Sequence, residues 1–166
     1  NYSYRWIILI AYLIGLSIGV HLLNLLTVPA MGLVVYFKKY QSSTKGIIYA
    51  VLLSFLIIGF IMWGLVPGIV KLSSIFERVF VNSFGTPFNV GTIVYFAIIA
   101  ALLVWGILYS EKRRKRLLNI IMLSLTFIII GYSTFLILVI RSNANTPIDE
   151  NNPEDAVALL AYLNRE

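Results

Sequence analysis

Residues 117–140 read LLNIIMLSLTFIIIGYSTFLILVI, a run of 24 residues without a charged side chain. A helix needs about 20 apolar residues to cross the hydrocarbon core of a bilayer, so this run is long enough. It lacks the strict alternation of apolar and polar residues that membrane β-strands show. In lipid the backbone must satisfy its own hydrogen bonds, and an open chain can do so only as a helix. The run therefore predicts a membrane-spanning helix.

Comparable apolar runs precede this one along the chain. One of them stops at Pro67-Gly68, where we predict the end of a helix. Residues 6–37 contain one His and no Asp, Glu, Lys or Arg, and they are too long for one upright span. We predict two short or broken helices that meet near Gly19–Asn24, without deciding between one span and two. The fold is predicted as an all-α polytopic transmembrane helix bundle of about five membrane segments: about 5–20, 22–37, 46–66, 91–110 and 117–140.

The overall composition supports this interpretation. Hydrophobic residues make up 60% of the chain and charged residues only 12%. Soluble domains are typically about a quarter charged, so a water-soluble domain is excluded. The net charge of +6 is explained by the cations that set the orientation of a membrane protein. We expect a lipid bilayer as partner and no nucleic acid.

The distribution of Lys and Arg predicts the orientation, because cytoplasmic loops are enriched in these residues. With two N-terminal helices, nine of the 13 Lys and Arg lie on one side. The run EKRRKR at 111–116 dominates that side and is predicted to be cytoplasmic. Residues 1–141 then form the transmembrane region, and residues 142–166 form an extracytoplasmic linker and the start of a soluble region.

The stretch 68–82 is predicted to be an interfacial amphipathic helix. Its apolar residues recur at helical spacing, with Lys71, Ser74, Glu77 and Arg78 on the opposite face. Two interpretations remain open: a connector packed on the membrane surface, or a lid or floor of a site at the outer face.

The tail around residues 141–155 is the most polar part of the chain. Asn152 is a suitable N-cap with Pro153 at the first helical position, so we predict a helix over 153–164 that is cut off by the end of the chain. Capping does not explain Asp149 and Glu150. Arg141 lies where a helix leaves the membrane, and it is either a ligand for a lipid or substrate phosphate or a snorkelling anchor.

His21 and Asn24 are polar side chains at membrane depth, where such groups are costly and often functional. They either contribute to a site or form a packing contact or a cap at the helix break. A metal site is not expected, because the chain has no second His and no Cys. The chain contains no phosphate-binding loop, nucleophile elbow or zinc pattern.

Three stretches carry a family resemblance. They are SIGVHLLNLL at 17–26, VNSFGTPFN at 81–89 and RSNANTPIDENNPED at 141–155. In these stretches the sequence resembles a bacterial family of large membrane proteins that is itself similar to a vertebrate endoplasmic-reticulum protein O-mannosyltransferase.

The resemblance implies a GT-C type glycosyltransferase of the bacterial inner membrane. Such enzymes transfer a sugar from a polyprenyl-phosphate donor to an acceptor protein or glycan at the outer face. Their usual catalytic carboxylate lies in the first extracytoplasmic loop. The chain resembles the part after that loop, so we expect a mid-protein fragment with no catalytic residue of its own, inactive when isolated.

The resemblance also suggests roles for individual residues. Arg141 would bind the donor phosphate, with Arg78 and Lys71 as further cations, and His21 and Asn24 would bind phosphate or sugar. Asp149 and Glu150 are further substrate-binding candidates, and no cofactor or metal is implied. A transporter or channel fragment and a non-catalytic scaffold remain alternatives. An acidic pair in a preceding extracytoplasmic loop would favour the enzyme.

Overall fold

The computed structural model describes residues 2–144, 147 and 152–164. All regular elements within these residues are helices and none is a strand, which confirms the predicted all-α fold. The elements are α1 (Tyr2–Val20), a 3₁₀ helix (Leu22–Leu26), α2 (Thr27–Lys39), α3 (Thr44–Gly59), a π-helical segment (Phe60–Leu65), α4 (Val66–Phe84), α5 (Val90–Lys112), α6 (Arg116–Tyr132), a second 3₁₀ helix (Ser133–Leu136), α7 (Ile137–Ser142) and α8 (Ala156–Asn164).

Three continuous helices among the described residues are long and apolar enough to cross a membrane. They are Thr44–Phe84, Val90–Lys112 and Arg116–Ser142, and the stretch Tyr4–Val20 is a shorter apolar helix. Large apolar side chains on these helices face outward, for example Trp63 at 81% exposure and Leu56 at 70%. Exposure of so many large apolar groups is expected where lipid is the solvent, so the chain is an integral membrane protein.

Helices α3 and α4 are one continuous helix of 41 residues, joined by the π-helical segment. The helix end predicted at Pro67-Gly68 is therefore wrong. The N–H of Val66 donates to the carbonyl of Ile61, five residues back, so the hydrogen-bond pattern shifts just before Pro67. Pro67 then occupies the first turn of α4, where its missing N–H is tolerated. The predicted segments 46–66 and 68–82 belong to a single helix, and the interfacial position of the second remains a prediction.

Helix α4 ends at a glycine. Gly85 adopts φ of 63°, and its N–H donates to the carbonyl of Val81 at 3.1 Å. The N–H of Thr86 donates to the carbonyl of Phe80 at 3.3 Å. These two bonds are typical of a left-handed C-terminal cap, and they turn the chain toward α5.

The N-terminal apolar stretch is interrupted at His21, between α1 and the first 3₁₀ helix, as the sequence predicted. Gly15 and Gly19 do not contribute to this break, because both lie inside α1. Together with Ala11 they form a four-residue repeat of small side chains along one face of the helix. Small residues at this spacing allow two membrane helices to approach closely.

This face of α1 packs against α6. A Cβ atom added at Gly15 would overlap the backbone oxygen of Ile128, and one added at Gly131 would lie 2.5 Å from the carbonyl oxygen of Tyr12. The two glycines therefore face each other at the point where the helix backbones are closest. The two backbones are so close that neither Gly15 nor Gly131 can carry a side chain larger than a hydrogen atom without moving the helices apart.

The remaining helices pack in sequence around this pair. Helix α2 packs on α3, α4 on both α5 and α8, and α5 on α6. A buried apolar cluster forms where α1, α2, the α3–α4 helix and α6 meet: Ile18, Leu25, Val28, Ile58, Ile61, Leu65, Val66 and Tyr132.

We expect Gly15→Ala to lower the free energy of unfolding by about 1–3 kcal/mol, because the added methyl group must push α1 away from α6. Unfolding in mixed detergent micelles, followed by circular dichroism, measures the loss. Gly68→Ala is the matched control, since nothing lies within 4 Å of a Cβ at Gly68. Equal stability of the two variants would contradict the close packing of α1 on α6.

Candidate functional site

A cavity of about 160 Å³ lies between α4, the start of α5, the end of α6, α7 and α8. This is the end of the bundle that the charge distribution predicts to face the outside. The walls are mainly apolar, with Phe96 and Phe135 among the larger side chains. Polar side chains also line it: Ser73, Asn89, Thr92, Ser133 and Asp155. The cavity thus offers a mostly apolar volume with a few hydrogen-bonding groups at its wall.

Glu77 lies next to the polar wall of the cavity and is only 1% exposed. One carboxylate oxygen accepts from the N–H of Asn89 at 2.5 Å. The other accepts from the N–H of Thr92 at 2.8 Å and from its hydroxyl at 2.9 Å. The Thr92 hydroxyl also lies 3.4 Å from that of Ser73. All these contacts connect α4 to the first turn of α5.

The carboxylate of Glu77 acts as the N-terminal cap of α5. The first N–H groups of a helix have no intrahelical acceptor, and the side chain of Asn89 makes no capping bond. A negative charge at this end also interacts favourably with the helix dipole. The Glu77 carboxylate therefore has its hydrogen-bond partners in two backbone N–H groups and one hydroxyl at the start of α5.

Gly91 allows the close approach that this cap requires. A Cβ atom at Gly91 would lie 2.7 Å from the Cα atom of Glu77 and 2.7 Å from the carbonyl oxygen of Phe76. The sequence predicted Glu77 on the polar face of the helix at 68–82, with Lys71 and Arg78; the structure buries Glu77, whereas Lys71 and Arg78 are exposed. Spacing within α4 identifies its charged face, but it does not reveal that the start of α5 packs on Glu77.

Helix α8 begins at Ala156 and is capped by Asp155. The Asp155 carboxylate accepts from the N–H groups of Val157 at 2.7 Å and Ala158 at 2.8 Å. The predicted cap at Asn152 and helix start at Pro153 are wrong. Asn152 instead adopts φ of 42°, and its side-chain oxygen accepts from the hydroxyl of Ser142 at 3.0 Å. Asp155 offers a charged acceptor one residue before the helix, which is the stronger cap.

Asn143 fastens the tail to the end of α7. Its side-chain nitrogen donates to the carbonyl of Val139 at 2.8 Å and to that of Glu154 at 2.7 Å. Together with the Ser142–Asn152 bond, this holds α8 against α4, where it closes one side of the cavity. Polar residues of the distinctive tail sequence thus have structural roles that the sequence analysis did not assign.

The predicted phosphate-binding cations do not line the cavity. Arg141 lies in the last turn of α7 and is exposed. Arg78 and Lys71 are exposed on α4, and Arg78 follows the buried Glu77 directly. All three lie on the surface around this end of the bundle, and their roles in binding phosphate remain predictions.

His21 and Asn24 lie at the break between α1 and α2. The His21 ring accepts from the N–H of Leu23 at 3.3 Å and so caps the 3₁₀ helix. The contact between the two residues is a backbone bond, from the Asn24 N–H to the His21 carbonyl at 3.0 Å. Asn24 lines a separate groove, together with Ser17 and Thr27. A cap at the helix break was one of the two interpretations, and the geometry of His21 fits it.

Two predicted site residues, Asp149 and Glu150, lie outside the described residues. Among the residues that the structure describes, no group of three or more His, Cys, Asp or Glu side chains is placed to hold a metal ion.

We expect Glu77→Ala to destabilise the contact between α4 and α5, because the buried N–H groups of Asn89 and Thr92 lose their acceptor. An unsatisfied buried donor costs about 1–3 kcal/mol. Hydrogen exchange at the Asn89 and Thr92 amides should become faster, and unfolding should begin at lower denaturant concentration. Arg78→Ala removes a neighbouring exposed charge and should leave both measurements unchanged. Unchanged exchange in the Glu77 variant would rule out the cap.

We expect Asp155→Ala to destabilise α8 by about 1 kcal/mol, the usual effect of removing an N-cap. The amides of Val157 and Ala158 should lose protection from hydrogen exchange first. Glu154→Ala is the control, because the tail contacts of Glu154 use its backbone N–H and carbonyl, which the substitution keeps. If Asn152→Ala rather than Asp155→Ala exposed these amides, the assignment of the cap would be wrong.

Comparison with known proteins gives one partial match. Residues 1–44 match the family model of the protein O-mannosyl-transferase TMEM260 N-terminal domain. The match includes the stretch 17–26 that carried the resemblance and excludes 81–89 and 141–155. No curated protein and no solved structure matches the chain. The match supports a relation between this membrane protein and that family, over the N-terminal helices.

Proposed function

We propose that the chain is part of an integral membrane glycosyltransferase of the GT-C type. The enzyme would take a sugar from a polyprenyl-phosphate donor and pass it to an acceptor protein or glycan at the outer membrane face. The observation that carries the proposal is the match of residues 1–44 to a protein O-mannosyl-transferase domain. The helical membrane bundle is consistent with it, since such a donor is dissolved in the bilayer.

The cavity at the predicted outer end supports the choice of a lipid-linked donor. An isoprenoid chain needs an apolar environment, and apolar side chains of α4, α5, α6, α7 and α8 line this volume. The donor phosphate needs a cation at the membrane surface. Arg141 lies only two residues after Val139, a lining residue of the cavity. We therefore propose Arg141 as the phosphate ligand, with Arg78 as a second cation.

Glu77 is not proposed as the catalytic base, although it is a buried carboxylate near the cavity. Its two oxygens already accept three hydrogen bonds from Asn89 and Thr92. Withdrawing these hydrogen bonds would leave the first N–H groups of α5 without an acceptor and so uncap the helix. The proposed role of Glu77 is to position the wall of the cavity.

We expect Arg141→Ala in the intact protein to reduce sugar transfer from a polyprenyl-phosphate donor by about tenfold or more, because a charge-assisted hydrogen bond to phosphate contributes about 1.5–3 kcal/mol. The measurement is release of radiolabelled sugar from the lipid donor by protein in proteoliposomes. The effect should appear mainly in KM for the donor, since the phosphate is bound before and during the reaction.

Arg141→Lys should restore part of the activity, because the cation remains without the planar guanidinium. Lys39→Ala, at the opposite end of the bundle by the charge distribution, is the control and should transfer sugar normally. Unchanged turnover in Arg141→Ala would exclude the phosphate role. Absence of transfer by the unmodified protein with any polyprenyl-linked sugar would instead favour a non-catalytic scaffold.

A further inference from the structure

The turn between α5 and α6 carries the highest density of charge in the chain. Five consecutive cations, Lys112 to Arg116, follow a single acid, Glu111, so the turn has a net charge of +4 (five minus one). All six residues are exposed. Arg5 is also exposed, and α1 packs along α6 from its start, so a sixth cation lies at the same end of the bundle.

The backbone of the turn is short and firmly held. Helix α5 ends at Lys112 and α6 begins at Arg116. The reversal requires a left-handed residue, and Arg114 takes that role with φ of 51°. The N–H groups of Arg114 and Lys115 donate to the carbonyls of Glu111 and Ser110, both at 2.9 Å. The cations are therefore presented on a defined backbone, in contrast to those of a long flexible loop.

A polar contact beneath the turn fixes the two helices together. Ser110 is fully buried, and its hydroxyl accepts from the side-chain nitrogen of Asn119 at 3.0 Å. The same nitrogen lies 3.4 Å from the carbonyl of Ile107. This bridge between α5 and α6 holds the base of the turn in one arrangement.

Aromatic rings hold several of the cationic side chains. Arg113 and Lys115 both lie over the ring of Tyr109, at 5.9 Å and 5.3 Å from its centroid. Arg116 lies over the ring of Tyr4 in α1, at 5.4 Å. Cation–π contacts of this kind orient the charges and reduce the conformational entropy that they lose on binding a ligand.

The same aromatic residues indicate the depth of the turn. Trp105 is 65% exposed and stacks on Tyr109 at 5.5 Å, and Trp6 is also 65% exposed. Exposed Trp and Tyr side chains concentrate where lipid headgroups meet the hydrocarbon core. Cations immediately beyond such an aromatic belt are expected at the level of lipid phosphates.

We propose that the α5–α6 turn, together with the start of α1, is a binding site for the headgroups of anionic phospholipids. Complementary charge identifies the ligand: a cluster of net charge +4 at headgroup depth selects a lipid with net negative charge over a zwitterionic one. Arg113 and Lys115, both in contact with the Tyr109 ring, would bind the headgroup phosphate together with Arg116, which contacts the Tyr4 ring. The site is at the opposite end of the bundle from the cavity, so it does not depend on the proposed function.

The test uses the intact protein in nanodiscs and Trp105 as the reporter. Trp6→Phe and Trp63→Phe leave Trp105 as the single tryptophan of this chain. Quenching of Trp105 fluorescence by phosphatidylglycerol with brominated acyl chains is compared with its quenching by brominated phosphatidylcholine. Stronger quenching by phosphatidylglycerol at equal lipid content is the expected result. Equal quenching by the two lipids would overturn the proposal.

A pair of double variants tests which cations are responsible. Arg113→Gln with Lys115→Gln should reduce the preference for phosphatidylglycerol by about fivefold for each cation removed. Lys38→Gln with Lys39→Gln removes the same charge from the end of α2 and should leave the preference unchanged. An equal loss in both pairs would overturn the site, because it would indicate only the overall surface charge.

Inorganic phosphate at constant ionic strength distinguishes the lipid from a soluble ligand. Inorganic phosphate should not displace a lipid headgroup that is held at the membrane surface. The ratio of Trp105 quenching by phosphatidylglycerol to quenching by phosphatidylcholine should therefore stay constant. Displacement by inorganic phosphate would overturn the assignment to lipid.

Discussion

The contact between the Glu77 carboxylate and the first turn of α5 positions the end of the bundle that contains the cavity. A backbone N–H in an apolar environment has no water to bind, so a helix that begins there needs an acceptor from the protein. Glu77 supplies three acceptor contacts across 12 and 15 positions of the sequence. Because these contacts tie α4 to α5, they also place Ser73 and Thr92 at the wall of the cavity.

The same need for hydrogen-bond partners explains the other irregular points of the chain. His21 caps the 3₁₀ helix after α1, and Asp155 caps α8. Before Pro67, the π-helical segment changes the hydrogen-bond register, so the helix continues through a residue without an N–H. At the helix starts among these points, charged and polar side chains therefore accept hydrogen bonds from backbone N–H groups. Arg141 is an exposed cation in the last turn of α7, the helix that contributes Val139 to the cavity lining.

The two ends of the bundle differ in the way they use charge. At the end with the cavity, a buried anion is balanced by N–H groups, and cations lie on the surrounding surface. At the other end, the α5–α6 turn concentrates cations and holds them with the rings of Tyr109 and Tyr4. The proposed lipid site and the proposed donor cavity therefore lie at opposite ends of the bundle, so lipid bound at one end would not obstruct the other.

The sequence by itself determined the membrane class, the helical fold and the break near His21. These features depend on local composition: uncharged apolar runs such as residues 117–140 must form helices in lipid, whatever packs around them. The basic turn at 111–116 was equally visible, because its cations are adjacent in the chain. The family relation also came from a local stretch, since residues 17–26 lie within the matched part.

Only the tertiary structure decided the roles of Glu77, Gly15 and Asp155. Glu77 and the start of α5 are distant in sequence, and Gly15 faces Gly131 of a helix more than 100 residues later. No pattern within one helix reveals such a partner, so the sequence assigned Glu77 only to the polar face of its helix and gave Gly15 no packing role. Asp155 and Asn152 are both acceptable caps by residue type, and the tail contact of Asn152 with Ser142 decides between them. Local composition selects the helices, whereas contacts between distant residues determine which polar groups remain available for function.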